Sequence, residues 1–404
     1  MLLAVNKIRE ETKKLKDEVA FLCIGQAGGN IGTLFEEKGY NVMYVNTSKE
    51  DLDILSKSPH KFHLRNGEGC AKDRDRAKQL LAEDLDRLIA QIKTTITQKY
   101  VFVVFSSGGG TGSGISPFLT EILIEEFGPE EEVAEDSSYV PEPQKYFSAV
   151  TIIPSGADKA QAASNSYSCC QELLDNADLG SLFILDNSRL ENKLTINRIF
   201  ADTLDRVLNI PSKHKDKRGN VDKAELRRAI FETHGVALAV VLDRKATTAQ
   251  LIEKVHNNVF APIEEDRTVL YYVSSTIEPL QTDTLAQEFG EPLDVFSTYN
   301  DSCNILLLTG LTFPYTRFNG IKDAVLADSQ KIENSIDGLY ENRLDASLTI
   351  SRKAKPKKKR TRTTIISPTS DGDTSSIGDL KPAAISVEIP KKSARELLGK
   401  YKRN

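Results

Sequence analysis

This 404-residue sequence has no long apolar run, no CxxC pair of cysteines and few histidines. No window approaches 18 consecutive apolar residues, so the sequence predicts no membrane-spanning helix and no membrane partner. Its five cysteines form no CxxC pair, and their odd number favours free thiols in a reducing compartment over disulfide bonds or a zinc site. Five histidines without an HExxH motif argue against a histidine-based metal site. The first residues lack the basic, apolar and small order of a secretory signal, which predicts a cytoplasmic protein.

The charge of the chain is distributed unevenly. Residues 351–404 contain 15 Lys and Arg against 5 Asp and Glu, whereas the whole chain carries a net charge of −5. The body is therefore acidic and the tail is basic. Because an acidic surface repels DNA phosphates, we expect any DNA contact to lie in the tail or to pass through an adaptor.

Apolar, strand-like runs alternate with helical patterns between residues 19 and 194. Strands are expected at 19–25, 40–46, 100–107, 147–155 and 180–187. The run at 100–107 is apolar without interruption, which is typical of a strand buried on both faces. The alternation predicts an α/β fold with a mostly parallel sheet that helices cover on both faces. Ligands bind such sheets at the carboxyl ends of the strands.

A long helical pattern and three further strand-like runs follow this alternation. The runs have one clear helix between the first two, which predicts a smaller second α/β domain. Few apolar residues occur beyond residue 350, so we expect a disordered tail whose last stretch folds as a short basic helix on a partner. The expected organisation is an N-terminal helix at 1–18, a first α/β domain at 19–194, a central helix and its following loop at 195–232, the second domain at 233–318, a C-terminal helix at 319–350 and the tail at 351–404.

A glycine-rich segment, GGGTGSG at residues 108–114, lies between a buried strand and a helix. Its glycines let backbone N–H groups turn inward and face an anion at the N-terminus of the helix. Thr111 and Ser113 can add hydroxyl donors. A flexible loop is the alternative, but flexible segments are rarely held between an apolar strand and a helix. The segment predicts a phosphate-binding loop, although it lacks the lysine of a Walker A loop.

A second loop, GQAGGN at residues 25–30, also ends a strand and opens a helix. Ala27 stands where a dinucleotide-binding fingerprint needs its second glycine, and Asn46 rather than an acidic residue closes the next strand. No catalytic set of His, Lys and Tyr is visible either. These departures disfavour a Rossmann oxidoreductase, and two glycine-rich loops on neighbouring strands suit a nucleoside di- or triphosphate better.

These loops, in this order, resemble the nucleotide-binding loops of the tubulin/FtsZ family. Loop 108–114 resembles the family's signature loop, and loop 25–30 resembles its first nucleotide loop. The resemblance covers about residues 19–320 and includes Asn46-Thr47-Ser48, the γ-phosphate-facing segment 66–73, Ile153-Pro154-Ser155 with Asp158 at the ribose, the segment 185–190 and the start of the central helix at 196–199. It implies a tubulin/FtsZ-like fold in which residues 19–194 bind GTP or GDP, with Mg²⁺ held by the phosphates.

The resemblance assigns nucleotide-binding roles within each of these loops. Asn187 and Asn197 would read guanine, because an amide carries both a donor and an acceptor. On its own, Asn187 would more often be a turn residue. Lys193 stands where the family often stacks an aromatic ring on the base, which is a departure. The expected nucleotide-binding residues are Gly25, Gln26, Ala27, Gly28, Gly29, Asn30, Asn46, Gly69, Ala71, Gly108, Gly109, Gly110, Thr111, Gly112, Ser113, Asp158, Asn187 and Asn197.

The segment GNVDKAE, residues 219–225, resembles the family's catalytic loop, which reaches into the nucleotide site of the next subunit in a polymer. Asp222 and Glu225 can share one face of a starting helix and can position or polarise the attacking water, while Asn220 can bind phosphate or water. The same spacing is typical of a helix capping box, and the two roles can coexist. The resemblance implies a GTPase activated by assembly. A scaffold that binds GTP without hydrolysis is the alternative.

Within the family, the GNVD-x-x-Glu spacing, the charged N-terminal segment, the long helix after the second domain and the basic tail resemble the TubZ branch of plasmid- or phage-borne filaments. That branch implies head-to-tail self-assembly in a prokaryotic cytoplasm, with the tail gripping a DNA-bound adaptor of TubR type. The basic stretch from Arg352 to Arg362 can contact DNA directly, or it can be a solvated tail that keeps filaments apart. The alternatives are an FtsZ-like division filament, of which the segment 385–390 is a faint indication, and a phage filament that positions DNA or capsids.

Overall fold

The computed structural model describes residues 14–55, 58–129, 142–265, 268–339 and 393–402, without the side chains of 328–339. The expectations for residues 1–13, for 340–350, and for the tail between 351 and 392 with its segment 385–390 lie outside the described residues. The chain divides into a first unit, residues 1–330 with 392–404, and a second unit, residues 331–391. Of the second unit, only residues 331–339 are described, and they are helical.

Ten strands and twelve α-helices lie within the described residues, after a short 3-10 turn at Leu15–Glu18. The strands are β1 (Val19–Ile24), β2 (Asn41–Asn46), β3 (Lys61–His63), β4 (Tyr100–Ser106), β5 (Tyr146–Ile153), β6 (Ser181–Asp186), β7 (Gly235–Asp243), β8 (Tyr271–Thr276), β9 (Asp294–Tyr299) and β10 (Cys303–Leu311). The helices are α1 (Gly25–Glu37), α2 (Lys49–Asp53), α3 (Arg74–Thr95), α4 (Thr111–Glu126), α5 (Ala160–Leu174), α6 (Lys193–Leu208), α7 (Ile210–Lys213), α8 (Lys223–Phe231), α9 (Thr248–His256), α10 (Thr282–Phe289), α11 (Tyr315–Leu339) and α12 (Ala394–Gly399).

All ten strands form one sheet, in the order β3-β2-β1-β4-β5-β6-β7-β10-β8-β9. The neighbouring strands from β3 to β7 are parallel, and so are β8 and β9. Only β10 runs antiparallel to its neighbours, β7 and β8. The carboxyl ends of β1 to β6 therefore meet at one edge of the sheet, where the loops that follow them can converge.

Each face of the sheet packs against its own helices, as the uninterrupted apolar strands require. Along β1, Phe21 and Cys23 belong to the core that contains α1, α6 and α8. Their neighbours Leu22 and Ile24 point to the other core, which contains α3, α4 and α5. This is the helix-covered, mostly parallel α/β sheet that the sequence predicts, and the expectation is confirmed.

Two features of the fold were not expected from the sequence. The sequence predicts one strand between α9 and β10, but the structure has two, β8 and β9, with the helix α10 between them. Residues 15–18 form a 3-10 turn and not the end of an α-helix. Within the described residues, no helix is long and apolar enough to cross a membrane.

Candidate nucleotide-binding site

A cleft of about 500 Å³ lies at the carboxyl ends of the parallel strands, where the loops after β1, β2, β3, β4, β5 and β6 meet. Loops from distant parts of the sequence thus line one site. The residues on its wall that the sequence singles out are Gly25, Gln26, Ala27, Asn46, Gly69, Ala71, Gly108, Gly109, Gly110, Thr111, Gly112, Asp158 and Asn187.

The two helices that follow the glycine-rich loops begin at this cleft without a side-chain cap. Ile24 precedes α1 and Gly110 precedes α4, and neither accepts a hydrogen bond from the first turn through its side chain. The N-caps of α2, α3 and α6, which are Ser48, Asp73 and Asn192, all do so. The first-turn N–H groups of α1 and α4 are therefore left for an external acceptor, and the helix dipole favours an anion there.

The loop before α4 is tied to its neighbours on both sides. The side-chain amide of Asn165 in α5 donates to the carbonyls of Gly109 and Lys72, at 2.9 and 2.8 Å. The hydroxyls of Thr47 and Thr111 lie 2.7 Å apart. A Cβ on Gly110 would lie 2.9 Å from the Cα of Lys72, so only glycine permits this contact. These contacts join the three loops into one cradle.

Backbone strain is concentrated in the loop between β3 and α3. Asn66, Ala71 and Lys72 have φ values of 59°, 44° and 65°, and they are the non-glycine residues with positive φ in the described chain. Such conformations cost free energy and persist where the surroundings impose them, which is common at ligand sites. The contacts of Asn165 and Gly110 with Lys72 supply that constraint here.

Two asparagine amides near the cleft have no internal partner. Asn187 follows β6 on the cleft wall, and Asn197 lies in α6 and is 6% exposed. Neither side-chain amide hydrogen bonds to another residue in the part of the chain that the structure describes. Both amides are free to pair with the edge of a base, although Asn197 is not among the residues of the cleft wall.

An ion pair crosses the mouth of the cleft. The ammonium of Lys193 lies 3.1 Å from the carboxylate of Asp158, which also accepts two 2.8 Å hydrogen bonds from Ser155. Burial would raise the pKa of Asp158, but the hydrogen bonds from Ser155 and Lys193 outweigh it and hold the pKa below its ordinary value. Asp158 is therefore an acceptor at neutral pH, as a ribose hydroxyl would require.

Other residues singled out by the sequence lie away from the cleft wall. Gly28 and Gly29 are buried inside α1, and Asn30 is exposed on the same helix. Ser113 is fully buried, and its hydroxyl donates to the carbonyl of Gly109. Gly28, Gly29 and Asn30 therefore belong to the body of α1, whereas Ser113 contacts the glycine-rich loop through its hydroxyl.

The segment 219–225 forms a capping box at the start of α8. The carboxylate of Asp222 accepts from the Glu225 N–H at 2.8 Å, and the carboxylate of Glu225 accepts from the Asp222 N–H at 2.9 Å. The capping alternative for this spacing is thus confirmed. Each carboxylate uses one oxygen for the cap, Oδ1 of Asp222 and Oε2 of Glu225, and its other oxygen accepts no hydrogen bond from the described residues. Asp222 and Asn220 are exposed.

This capping loop lies near the amino end of β1, whereas the cleft lies at the carboxyl ends of the parallel strands. The ammonium of Lys223 lies 3.0 Å from the carboxylate of Glu18, which directly precedes β1. Gly25, on the cleft wall, directly follows β1. A six-residue strand spans about 20 Å. Asp222 and Glu225 are therefore about one strand length from the cleft of their own chain.

The loop before Asp222 is held by the edge strand β9. The buried hydroxyl of Thr298 donates to the carbonyls of His214 and Gly219, at 3.2 and 3.0 Å. A Cβ on Gly219 would lie 2.7 Å from the carbonyl oxygen of Ser297, so the loop approaches β9 too closely for a side chain. These contacts fix the direction in which the loop projects.

No group of three or more His, Cys, Asp and Glu residues that could hold a metal ion occurs within the described ranges. Oxygen donors that suit Mg²⁺ nevertheless line the cleft, namely Asp51, Glu68 and Thr111. Mg²⁺ binds proteins through a few such oxygens together with phosphates and water, so this sparse set fits a nucleotide-bound ion.

Sequence reasoning missed several residues of the site. Asn165 lies in the middle of α5 and belongs to no motif, and Thr298 lies on a strand that was itself missed. Both act through backbone carbonyls that are distant in sequence, so no local signal marks them. Glu68 and Lys72 could have been included, because they lie within the segment 66–73 that was already selected.

Comparisons with known proteins agree with this geometry. Residues 18–195 match the family model described as Tubulin/FtsZ family, GTPase domain. The tubulin-like protein TubZ of a Clostridium botulinum C phage is 26% identical over 334 residues, which are 81% of this chain and 88% of that protein. The crystal structure of Clostridium botulinum phage c-st TubZ superposes with a TM-score of 0.68 and 25% identity, over 78% of this chain and 99% of that one.

A protofilament structure is also similar in fold. The GTPγS-form protofilament of Bacillus thuringiensis serovar israelensis TubZ superposes with a TM-score of 0.66 at 16% identity, over 82% of this chain and 98% of that chain. The matched GTPase model covers the loops that line the cleft up to Lys193. We conclude that residues 18–195 resemble the GTPase domain of the tubulin/FtsZ family and that the chain is similar to TubZ over most of its length.

Proposed function

We propose that this protein binds GTP in the cleft and hydrolyses it when a second copy stacks head-to-tail on the first. One observation carries the proposal: the nucleotide cleft and the loop with Asp222 lie at opposite edges of the same sheet. A single chain cannot bring them together without unfolding the sheet. A second copy, placed by translation along the strands, presents its loop to the cleft of the first.

The nucleotide fits the cleft in one orientation. Its phosphates lie at the uncapped N-termini of α1 and α4, where backbone N–H groups are available. Its ribose lies beside Asp158 and its guanine beside Asn187 and Asn197, whose amides lack internal partners. Asp51, Glu68 and Thr111 supply oxygens toward a Mg²⁺ ion that the phosphates hold, and this ion neutralises phosphate charge when bound.

Hydrolysis requires a water molecule in line with the γ-phosphate. In the capping box, Asp222 and Glu225 each keep one oxygen that the cap does not use. The cap fixes both carboxylates on the first turn of α8, so the remaining oxygens can accept protons from a water at the subunit boundary. Asn220 precedes them in the exposed part of the loop and can hydrogen bond to the same water or to phosphate.

A contact between two different surfaces repeats without closing, and it therefore builds a filament. The protofilament formed by the Bacillus thuringiensis TubZ supports this mode of assembly for a chain of the same fold. Hydrolysis removes the γ-phosphate from the boundary and weakens the contact, so the filament would be dynamic.

The test is phosphate release measured against protein concentration with GTP and Mg²⁺, together with light scattering. We expect the specific activity to rise steeply above a critical concentration, with scattering beginning at the same concentration. Specific activity that is constant with concentration, in the absence of scattering, would mean that each chain is a complete GTPase and would overturn the proposal.

The biological role that we propose is segregation of plasmid or phage DNA in a prokaryotic cytoplasm, through a DNA-bound adaptor of TubR type. The charge distribution supports it, because the acidic body disfavours DNA while the stretch from Arg352 to Arg362 is strongly basic. Fluorescence anisotropy with labelled duplex DNA tests the direct contact. Replacement of the basic residues of 352–362 by Gln should abolish salt-dependent binding, and unchanged binding would place the contact elsewhere.

A further inference from the structure

The C-terminal tip of the chain, residues 393–402, packs against the rest of the first unit in a groove between α3 and α4. Ala394 and Leu398 are 0% and 2% exposed, and both belong to the core on the α3–α5 face of the sheet. Leu397 and Tyr401 are partly buried against the same core. These four apolar residues have the spacing i, i+3, i+4 and i+7, which is that of a helix laid into a groove.

Polar contacts fix the orientation of the tip at both ends. The guanidinium of Arg395 lies 2.6 Å from the carboxylate of Glu126, at the end of α4. The hydroxyl of Tyr401 donates to the carboxylate of Asp75, in the first turn of α3, at 3.3 Å. The ammonium of Lys78, itself 5% exposed, lies 5.7 Å from the centre of the Tyr401 ring.

Acidic residues of the groove contact the basic tip. Residues 391–404 carry six Lys and Arg against one Glu. The surface around them carries Asp75, Asp86 and Glu126, and all three lie within hydrogen-bond or ion-pair distance of the tip. Charge complementarity of this kind favours the observed register and disfavours an acidic competitor.

The helix of the tip depends on this surface. Ser393 caps it by accepting from the Glu396 N–H at 3.3 Å, but α12 has only six residues. A helix this short is not stable alone in water, because nucleation costs more than so few hydrogen bonds return. The tip therefore adopts its helical form only where an apolar groove receives it.

We propose that the α3–α4 groove is a docking site for the C-terminal tip of the same chain. Fifty-three residues, 340–392, connect the tip to α11. Fully extended, a segment of this length spans up to ~180 Å, so it can deliver the tip to the groove of its own chain. Tethering makes this docking intramolecular and favours it over the same contact between separate molecules. A docked tip keeps Ala394, Leu398 and Tyr401 from any outside partner, so release must precede binding by that helix face.

Hydrogen exchange of the full-length protein without nucleotide tests the proposal independently of GTP hydrolysis. We expect slow exchange of the Leu397 and Tyr401 amides, whose hydrogen bonds lie within the docked tip. Leu398→Ser should speed this exchange at least tenfold, because it removes the buried anchor. The matched control is Glu396→Ser on the exposed face, which should leave exchange unchanged. Equal exchange in the parent and Leu398→Ser proteins would overturn the docking.

A labelled peptide of residues 391–404 separates the possible occupants. It should bind the full-length Leu398→Ser protein at least tenfold more tightly than the parent, whose groove is occupied. Equal affinity for both proteins, or no binding to either, would contradict the proposal.

The protection of the tip amides from hydrogen exchange should not change with protein concentration. Protection that disappears on dilution would make the tip of a second copy the occupant and would overturn docking within one chain.

Discussion

At the scale of single residues, Asp222 combines two roles that its sequence context cannot separate. It caps α8 through Oδ1, and in our proposal it presents its other oxygen to a water molecule at the subunit boundary. The spacing from Asp222 to Glu225 predicts the cap correctly from general helix physics. It does not reveal where the loop points, because that direction is set by Thr298 on a distant strand.

Conservative substitutions can separate the two roles of Asp222. Asn is as good an N-cap as Asp but carries no charge, so Asp222→Asn should keep the fold, GTP binding and polymerisation. We expect its GTP turnover at matched filament mass to fall about 10²-fold, as the loss of a general base does. Steady-state phosphate release, with sedimentation to measure polymer, provides the measurement.

The control for Asp222→Asn is a variant that removes the cap as well. Asp222→Ala should lose turnover to the same degree and should also lose about 1 kcal/mol of unfolding free energy. If Asp222→Asn retains the turnover of the parent while Asp222→Ala does not, the carboxylate acts only as a cap and the catalytic assignment is wrong.

At the scale of secondary-structure elements, β9 has a function that its position at the sheet edge does not suggest. It lies beside β8 at the end of the sheet, and its Thr298 holds two carbonyls of the loop that leads to Asp222. An edge strand that anchors a loop gives that loop a fixed direction. In our proposal, the region expected as the second domain, residues 233–318, thereby positions the loop for a neighbouring subunit.

Removal of the Thr298 hydroxyl should therefore impair turnover without affecting the cleft. Thr298→Val leaves two partly buried carbonyls without their donor, and we expect a several-fold loss of assembly-dependent GTPase activity with unchanged GTP affinity. Thr298→Ser keeps the donor and should behave like the parent. A loss of GTP affinity as large as the loss of turnover would instead indicate general destabilisation.

The elements of the first α/β region could be predicted from the sequence, and those of the second only in part. Nearly uninterrupted apolar runs such as Tyr100–Ser106 can be recognised as strands, because a strand buried on both faces is apolar at almost every position. The strand Asp294–Tyr299 alternates partly exposed and buried residues, so it lacks the uninterrupted apolar run by which the other strands were recognised. Loop positions around the cleft followed from the family resemblance, whereas Asn165 acts across the fold and left no local signal.

Helix α3 carries a buried carboxylate whose ionisation should be visible in the stability of the protein. Asp84 is 2% exposed and accepts hydrogen bonds from Arg65 and Arg87. Burial would raise its pKa, but these hydrogen bonds outweigh burial and lower the pKa to about 2, from 3.8. Because the folded pKa lies below the unfolded one, the stabilisation is complete above pH 5 and is lost as the pH falls through 3.8 toward 2.

The corresponding variant is Asp84→Asn. We expect it to lose about 2 kcal/mol of unfolding free energy at pH 7, and roughly half of that difference should remain at pH 3. Urea unfolding across this pH range gives both values. Glu83→Gln, at an exposed position of the same helix, should change stability little at any pH. A difference for Asp84→Asn that does not change with pH would show that packing, and not ionisation, is responsible.

At the scale of the whole molecule, our proposal makes the sheet a spacer between two half-sites. The cleft is built from loops at the carboxyl ends of the strands, and the Asp222 loop lies beside the amino end of β1. A parallel sheet makes this division natural, because it gathers all loops of one kind at one edge. In our proposal, the Asp222 loop cannot reach the cleft of its own chain, but the loop of a stacked copy can.

The most direct test of this account is complementation between two variants that are each strongly impaired in GTP hydrolysis. Asp222→Asn has an intact cleft and a defective loop. Gly109→Asp has an intact loop, and its carboxylate would enter open space in the cleft, since nothing lies within 4 Å of a Cβ at this position. In an equal mixture, about one quarter of the boundaries would join an intact cleft to an intact loop.

We therefore predict that the mixture of these full-length variants hydrolyses GTP at about one quarter of the parental rate, although each variant alone is at least about 10²-fold less active than the parent. Sedimentation measures whether Gly109→Asp enters the filaments of Asp222→Asn, which the test requires. Activity no greater than the sum of the separate variants, with both present in one filament, would contradict a site that is shared between subunits.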